Sequence, residues 1–254
     1  STCAVLATGE IMCWGTNGQG QLGNGTTARS TSPVLVTGIN TATQVSVGSN
    51  STCAVLAEGS IECWGANWYG QLGNGSTTSR TTPLAVAGIS TAVEVSVGPN
   101  SACAVLVSGD VKCWGYNGQG QVGDGTNSSR YLPTSVVNIS NASSVSVGSD
   151  FACAVLADAT LSCWGYNNAG QLGDGTNESS NFPVDTGLTG VRAVGAGDSN
   201  ACAVLETGAA KCWGYNGNRQ LGDGTSVNRT SPVSVRSIDN AVATSSNGQA
   251  TCAL

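Results

Sequence analysis

The sequence predicts an all-β protein built from tandem repeats, and three observations carry this prediction. First, a segment that runs from Cys-Ala-Val-Leu to Cys-Trp-Gly is written five times, with its first cysteine at positions 3, 53, 103, 153 and 202 and a partial sixth copy at 252. Second, each copy contains short apolar alternations separated by glycine-rich loops without a helical period. Third, two cysteines recur at a fixed spacing in each complete copy. Such self-similarity is typical of repeat architectures, in which one unit cannot bury its own apolar face.

The repeat length defines the domain organisation that we expect. The step between copies is 50 residues, except for one step of 49 between Cys153 and Cys202. We expect a single repeat domain over residues 1–254, with units of approximately 1–44, 45–94, 95–144, 145–193 and 194–241 and a partial terminal repeat at 242–254.

The third unit illustrates the strand prediction. Its extended runs lie at residues 95–97, 103–107, 111–114 and 133–137. Ser108-Gly109 separates the middle pair, which is a hairpin signal. The last run is expected to open on Pro133, because a missing N–H is tolerated at the first residue of a strand. Each repeat is therefore predicted to contain four short antiparallel strands.

The cysteine spacing predicts disulfides within each hairpin. If Leu6 opposes Glu10 across a three-residue loop, then Cys3 faces Cys13 on the adjacent strand. Directly opposed residues of antiparallel strands lie within the Cα separation that a disulfide requires. The same arithmetic predicts the pairs Cys3–Cys13, Cys53–Cys63, Cys103–Cys113, Cys153–Cys163 and Cys202–Cys212. The last loop residue is glycine in four copies and Ala159 in the fourth, which leaves the geometry of that turn open.

Zinc ligation and free buried thiols are the alternatives to disulfides. The chain contains no histidine, and its cysteine pairs are not clustered as in structural zinc sites. Each predicted disulfide closes a loop of about 11 residues and constrains the unfolded chain by roughly 3 kcal/mol. Cys252 has no downstream partner, so we expect it to be unpaired or to form an intermolecular contact.

The composition excludes several classes of partner. Only 9% of the residues are charged, and the net charge is −6 with a pI near 4.4. This balance disfavours nucleic acid and anionic membrane surfaces, and no stretch is long and apolar enough to insert into a membrane. Since disulfides persist in oxidising compartments, we expect an extracellular or cell-surface protein. No cofactor and no metal are expected.

The run from Cys53 to Gly75, with close copies starting at Cys103, Cys153 and Cys202, resembles the regulator of chromosome condensation repeat. This resemblance covers essentially the whole chain. It implies a β-propeller of four-stranded antiparallel blades, usually seven to a ring, so that five repeats would form an open or incomplete ring or a ring of five. It implies little about function, because the family includes a nucleotide-exchange factor, a photoreceptor and secreted inhibitors.

Residues that recur at the same position in each repeat are expected to have structural roles. Each blade tryptophan follows a cysteine, so it points to the opposite sheet face and is expected to lie between adjacent blades. These tryptophans are Trp14, Trp64, Trp114, Trp164 and Trp213. The asparagine three residues later is expected to hold the following loop by side-chain hydrogen bonds. A phosphate or calcium site at Asp124, Asp174 and Asp223 is disfavoured, because no lysine follows the glycines and the aspartates are not clustered.

Departures from the repeat are the candidate partner contacts. Trp68 and Tyr69 replace small or polar residues in a loop that is expected to be exposed, where adjacent aromatics favour partner contact. The alternative is that they fold back over their own blade. Arg219 replaces the glycine of the other copies, and Asn247 stands where they also have glycine, which fits an atypical terminal repeat.

Two functions remain open, and neither is enzymatic. Without histidine, and with thinly spread carboxylates, the chain offers little for acid–base catalysis. The first hypothesis is an extracellular structural protein that self-associates into a larger assembly or filament, because an open array leaves strand edges unpaired. The alternative is a secreted module that binds another protein or a glycan. The exchange and chromatin functions of the family are not transferred to this chain.

Overall fold

The structure is a computed structural model that describes residues 1–246 and 250–254. Every regular element in this described part is a β-strand, and the strands form antiparallel sheets in sequence order. The predicted all-β, propeller-like array is therefore confirmed. Asn247, singled out above, lies outside the described residues.

The first compact unit comprises Ser1–Asn117 and Ser128–Ser135 and contains three blades. Blade one consists of β1 (Thr2–Val5), β2 (Ile11–Gly15) and β3 (Ser30–Leu35). Blade two consists of β4 (Ala42–Val47), β5 (Ser51–Leu56), β6 (Ile61–Gly65) and β7 (Arg80–Ala85). Blade three consists of β8 (Ala92–Val97), β9 (Ser101–Leu106), β10 (Val111–Gly115) and β11 (Arg130–Ser135).

The second compact unit comprises Gly118–Asn127 and Val136–Leu254. Blade four consists of β12 (Ala142–Val147), β13 (Phe151–Leu156), β14 (Leu161–Gly165) and β15 (Ser180–Asp185). Blade five consists of β16 (Val191–Ala196), β17 (Asn200–Leu205), β18 (Ala210–Gly214) and β19 (Arg229–Ser234). A terminal hairpin follows, formed by β20 (Thr244–Ser246) and β21 (Thr251–Ala253).

Strand counts separate the complete blades from the ends. Blades two to five have four strands, with the strands in sequence order across the sheet. Within the described residues, blade one has three strands and the terminal hairpin has two. The expectation of four strands per repeat therefore holds for four of the five repeats.

Apolar alternation explains how the blades stack within each unit. In blade two, Val55 of β5 and Ile61 of β6 join a buried cluster that also contains Val95 of β8 and Trp114 of β10. The core is thus formed by facing sheets rather than by one sheet alone, as expected for a repeat whose apolar face needs a neighbour. A second cluster in the other unit joins Phe151, Leu161 and Trp213 in the same way.

The prediction that Pro133 opens its strand is wrong. Pro133 is the fourth residue of β11, which lies at the edge of its sheet and pairs only with β10 among the described strands. A proline is tolerated there because an edge strand does not need every N–H for the ladder. The ladder between β10 and β11 is also irregular between Cys113 and Gly115.

Candidate functional site

The glycine-rich loop after the second strand of each hairpin is held by one buried asparagine. In blade two, the Asn67 side-chain amide donates to the backbone carbonyls of Ser76 at 2.9 Å and Thr78 at 3.2 Å. Its oxygen accepts from the N–H of Leu72 at 2.9 Å. Asn67 and Leu72 are fully buried. The loop is therefore fixed by satisfied buried hydrogen bonds, and its backbone can present a defined surface to the next blade.

That surface receives a tryptophan from the following blade. Trp64 Nε1 donates to the Gln21 backbone carbonyl at 2.9 Å. Trp114 donates to Gln71 at 2.9 Å, Trp164 to Gln121 at 3.0 Å, and Trp213 to Gln171 at 2.9 Å. All four indoles are fully buried. We call this arrangement the tryptophan socket; its parts are the Gln-Leu-Gly segment of one blade, or Gln-Val-Gly at residues 121–123, and the indole of the next.

The glycine of the socket is required by the indole. A Cβ at Gly23 would lie 2.7 Å from Nε1 of Trp64, and one at Gly173 would lie 2.7 Å from Nε1 of Trp213. Both glycines also have positive φ, which other residues rarely adopt. The socket is thus shaped to the width of a flat aromatic ring.

The fifth socket is formed by blade five but contains no tryptophan among the described residues. Gln220, Leu221 and Gly222 line a pocket of about 310 Å³ together with Thr244 and Thr251 of the terminal hairpin. Among the described residues, a Cβ at Gly222 would meet Val235, 2.8 Å from its Cγ1. Trp14 differs from the other four blade tryptophans in burial. It is only half-buried, whereas they are fully buried.

Arg219 lines the fifth socket, and its position explains why the other copies have glycine. A Cβ at Gly20 would lie 2.8 Å from the Cα of Thr81 in the outer strand of the next blade. Arg219 has a φ of 62° and is exposed at the pocket. Its Cβ therefore occupies space that an outer strand of a following blade uses elsewhere.

A second surface feature, in the first unit, is a group of four aromatic rings, three of which are exposed. Trp68 is 53% exposed and Tyr69 is 41% exposed. The Tyr69 ring lies 5.0 Å from that of Tyr116, at an angle of 59°. Tyr131 is also exposed, and its side chain covers Gly70. We call these four residues the aromatic surface. Such rings provide large contact area with little loss of side-chain entropy.

The hairpins contain disulfides at all five cysteine pairs that the spacing predicts. The structure has Cys3 opposite Cys13 and Val5 opposite Ile11, which is the register assumed from the sequence. The disulfides are Cys3–Cys13, Cys53–Cys63, Cys103–Cys113, Cys153–Cys163 and Cys202–Cys212. Cys252 is a free cysteine and is exposed on β21.

The carboxylate of Asp223 stabilises its own loop. Asp223 accepts hydrogen bonds from the N–H and hydroxyl of Thr225, at 2.9 and 2.8 Å, and forms an ion pair of 2.7 Å with Arg229. Burial opposes ionisation, but these donors and Asn216 outweigh it and lower the pKa of Asp223 to about 2. Elsewhere, burial raises the pKa of Asp150, against a hydrogen bond from Gln121.

Two classes of site are not found in the part of the chain that the structure describes. No group of three or more His, Cys, Asp or Glu side chains there could hold a metal ion. None of its elements is a helix long and apolar enough to cross a membrane.

Blades of this kind, with a tryptophan socket between consecutive sheets, define a β-propeller repeat protein. The family model of the RCC1-like domain matches residues 1–254, and the chain belongs to this family. A search of the curated proteins found no match.

Solved structures agree on the fold. Human WBSCR16 has a TM-score of 0.89 at 20% identity, and the match covers 99% of this chain and 68% of that chain. Prp20p from Saccharomyces cerevisiae, described for its binding to Gsp1p and histones, has a TM-score of 0.87 at 20% identity, covering 99% and 65%. The ectodomain of the Physcomitrella patens receptor kinase CR4 has a TM-score of 0.54 at 19% identity, covering 84% and 49%. The chain thus spans about two thirds of the first two.

The residues expected to contact partners lie in different units. Trp68 and Tyr69 belong to the aromatic surface of the first unit, and Arg219 belongs to the fifth socket of the second. Sequence reasoning missed Tyr116 and Tyr131, which are distant from Tyr69 along the chain. It also missed the socket as a site. The available signal was the pairing of a Gln-Leu-Gly or Gln-Val-Gly segment in one repeat with a Cys-Trp-Gly segment in the next.

Proposed function

We propose that this chain is a non-enzymatic extracellular structural protein that self-associates into a larger assembly through its propeller repeats. The RCC1-like fold suggests a protein-interaction module. Disulfides in all five hairpins support an oxidising environment, and the likeness to a receptor-kinase ectodomain is compatible with that environment. The sparse carboxylates support a role in binding rather than in catalysis.

The observation that carries self-association is the unpaired edge of β1 in blade one, within the described residues. In blades two to five, the strand that bears the first cysteine lies between two others, as β5 lies between β4 and β6. In blade one the same strand, β1, pairs only with β2 within the described residues. An exposed strand edge is a template for pairing with another chain. Contacts between unlike ends are head-to-tail, and they give filaments when they do not close.

Light scattering coupled to size-exclusion chromatography tests this proposal on the full chain over a range of concentrations. We expect the mean mass to rise with concentration, and negative-stain images of the heavy fractions to contain linear or curved oligomers. A chain that remains a monomer at every concentration would contradict self-association. The variant Cys252→Ser separates association through folded ends from crosslinking by Cys252, because it removes the free thiol and leaves the five disulfides intact.

The aromatic surface favours a second candidate function, a secreted module that binds another protein or a glycan. Its Trp68, Tyr69 and Tyr131 are each about half exposed, and clustered exposed aromatics of this kind mark binding sites. The test is the double change Trp68→Gly with Tyr69→Gln, which copies the residues of the first repeat. Binding on a glycan array and to surface proteins should fall while the melting temperature stays unchanged. A large fall in melting temperature would instead assign the two rings to the fold.

A further inference from the structure

We infer that the aromatic surface, together with the groove beside it, binds a neutral glycan whose pyranose rings stack on Trp68 and Tyr131. The groove has a volume of about 390 Å³ and is lined by Gly75, Ser129, Arg130, Tyr131, Leu132 and Thr134. This inference rests on the second candidate function, a binding module, and assigns the chemical class of its ligand. The aromatic surface and the groove both lie within the first unit.

Four departures from the repeat meet at the junction of blades two and three. Trp68 and Tyr69 replace a glycine and a glutamine of blade one, and Tyr131 and Leu132 of β11 replace two threonines of β7. The backbone brings these two pairs together, because the N–H of Gly75 donates to the Tyr131 carbonyl at 2.8 Å. A Cβ at Gly75 would lie 3.4 Å from the Leu132 side chain. Large apolar groups from two separate segments therefore form one surface.

The rings are not needed to build the loop that carries them. In blade one, which has glycine and glutamine there, the N–H of Gln19 donates to the Gln21 side-chain oxygen at 2.9 Å. In blade two, the N–H of Tyr69 donates to the Gln71 side-chain oxygen at 3.0 Å. The next backbone hydrogen bond of the turn is also the same in both blades, 2.9 Å and 3.0 Å long. The exposed rings therefore add a surface to a loop that forms without them.

The rings are held in place by their neighbours. The Tyr69 ring packs against Tyr116 with 5.0 Å between the ring centroids, and the Tyr131 side chain covers Gly70. Rings that are already ordered lose little side-chain entropy on binding, so their contact area contributes more fully to affinity.

The groove has the size of a small-ligand site. Its volume of about 390 Å³ lies within the about 300–1,000 Å³ of typical ligand pockets, which combine apolar walls with a few polar groups. The Ser129 hydroxyl accepts from the N–H of Asn117 at 3.4 Å, and the Thr134 hydroxyl donates to the Leu132 carbonyl at 3.1 Å. Since a hydroxyl is both donor and acceptor, Ser129 retains a proton to donate and Thr134 retains lone pairs to accept.

The distribution of charge indicates a neutral ligand. Residues 66–79, which include Trp68 and Tyr69, contain no charged side chain, and the groove lining contains no carboxylate. A cationic ligand would therefore find no counter-charge among these residues. The net charge of −6 on the chain repels polyanions.

A pyranose ring matches both kinds of group at this site. Its C–H groups form an apolar face with a partial positive charge, which packs on the negative face of an aromatic ring. Its hydroxyls lie at the rim of the sugar, where they exchange hydrogen bonds with hydroxyl groups of the protein. Trp68 and Tyr131 supply the aromatic faces, and Ser129 and Thr134 supply the hydroxyls. A glycan of several units can occupy the rings and the groove together.

Titration calorimetry on the full chain tests the inference with neutral oligosaccharides of glucose, galactose, mannose and N-acetylglucosamine. We expect at least one of these series to bind, and Trp68→Ala and Tyr131→Thr each to weaken that binding by at least about tenfold. Trp68→Phe, which keeps a ring for stacking, should weaken it less than Trp68→Ala. Phe182→Ser is the matched control, because it removes an exposed ring from the position in blade four that corresponds to Leu132; it should bind like the wild type.

Fluorescence of the wild-type chain keeps the test decisive if a variant does not fold. Trp68 is exposed, whereas four of the five blade tryptophans are fully buried and Trp14 is half-buried. A sugar stacked on Trp68 should shift the tryptophan emission to shorter wavelength and reduce its quenching by acrylamide. Because the ligand is neutral, raising the salt concentration from about 0.05 to about 0.5 M should change the affinity by less than about twofold.

Three results would overturn the inference. They are the absence of binding to every neutral series, binding that Trp68→Ala leaves unchanged, and tighter, salt-sensitive binding of an acidic polysaccharide such as polygalacturonate. If a surface protein were then bound through the two rings, and lost on changing Trp68→Gly with Tyr69→Gln, the binding-module function would stand with a protein as its partner. If that double change affected the binding of neither glycans nor proteins, the binding-module function would fall as well.

Discussion

Blade one and blade two share a stretch of seven identical residues, Ser-Thr-Cys-Ala-Val-Leu-Ala at 1–7 and 51–57, but they bury it differently. Every residue of β5 is buried, whereas Thr2 of β1 is exposed and the rest of β1 is only half-buried. β5 lies between β4 and β6 and also contacts β8 of the next blade. The repeat sequence therefore specifies a surface that becomes a core only when neighbours are present. Burial in this protein is a property of consecutive repeats.

The largest difference between the two blades is expected when the equivalent tryptophan is removed from each of them. Trp64→Ala should cost about 3–5 kcal/mol of unfolding free energy, because it empties a filled socket. Trp14→Ala should cost clearly less, because Trp14 is already half-exposed in one chain. Urea unfolding at a dilution where the chain is monomeric measures both. Equal losses would contradict the difference between the blades.

The disulfides of blades one and two should also differ in how easily they are reduced. Cys53 and Cys63 are fully buried, whereas Cys3 is half-buried. We expect the Cys3–Cys13 bond to be reduced first under native conditions, and full reduction to remove roughly 3 kcal/mol per loop and lower the melting temperature. Peptide mapping without reductant should recover the five pairs within hairpins. Links between different repeats, or sensitivity of the melting temperature to EDTA, would argue against this arrangement.

How far the sequence predicts the molecule follows from the range of each interaction. The pairing of Cys3 with Cys13 depends only on strand alternation and a short loop, so it can be read locally. The face on which Trp64 lies is also predictable, but its acceptor, the Gln21 carbonyl, belongs to the preceding repeat. The aromatic surface required Tyr131 to approach Gly70 from another blade, and no local pattern encodes that.

The asparagine of the loop tests whether each socket is preorganised. Asn67 makes hydrogen bonds with Ser76, Thr78 and Leu72 while fully buried. Asn67→Ala should cost about 2–3 kcal/mol, because it leaves buried carbonyl and N–H groups without their partner. Thermal unfolding measures the loss. Asn177→Ala, on the exposed part of such a loop, is the control and should change stability little.

Acid sensitivity should distinguish blade five from blade four. The pKa of Asp223 is lowered to about 2, below the value of about 3.9 in an unfolded chain. Its ionised form therefore stabilises the fold fully above pH about 4, and this contribution is lost as the pH falls through about 2. As the pH is lowered through this range, the melting temperature of Asp223→Asn should fall less than that of the wild type. Asp174→Asn is the control, because Ser180 stands there in place of Arg229; an equal effect of both changes would contradict the ion-pair explanation.

The turn at Ala159 shows how one repeat departs from the others at little cost. The fourth hairpin keeps the same turn, with the N–H of Ala159 donating to Leu156 at 2.9 Å, although Ala159 has a φ of 61°. In blade two, a Cβ at Gly59 would lie 2.8 Å from the Ser90 carbonyl, in the loop that precedes the next blade. The corresponding loop of blade four, residues 186–190, is one residue shorter than residues 86–91. This deletion accounts for the 49-residue step and coincides with the copy that carries a Cβ in the turn.

The smallest expected effect is therefore that of Ala159→Gly. Relief of a positive φ favours glycine by about 1 kcal/mol, but the greater freedom of glycine in the unfolded chain offsets about 0.4–1 kcal/mol of this. We expect a net change within about 0.5 kcal/mol, measured by urea unfolding. The matched change Gly59→Ala should cost more than about 1 kcal/mol, because its Cβ meets both the unfavourable φ and the Ser90 carbonyl. The opposite result would be that Ala159→Gly stabilises the chain as much as Gly59→Ala destabilises it. That result would contradict the explanation that the shorter loop at residues 186–190 accommodates the Cβ of Ala159. The two turns would then differ only in the residue that they contain.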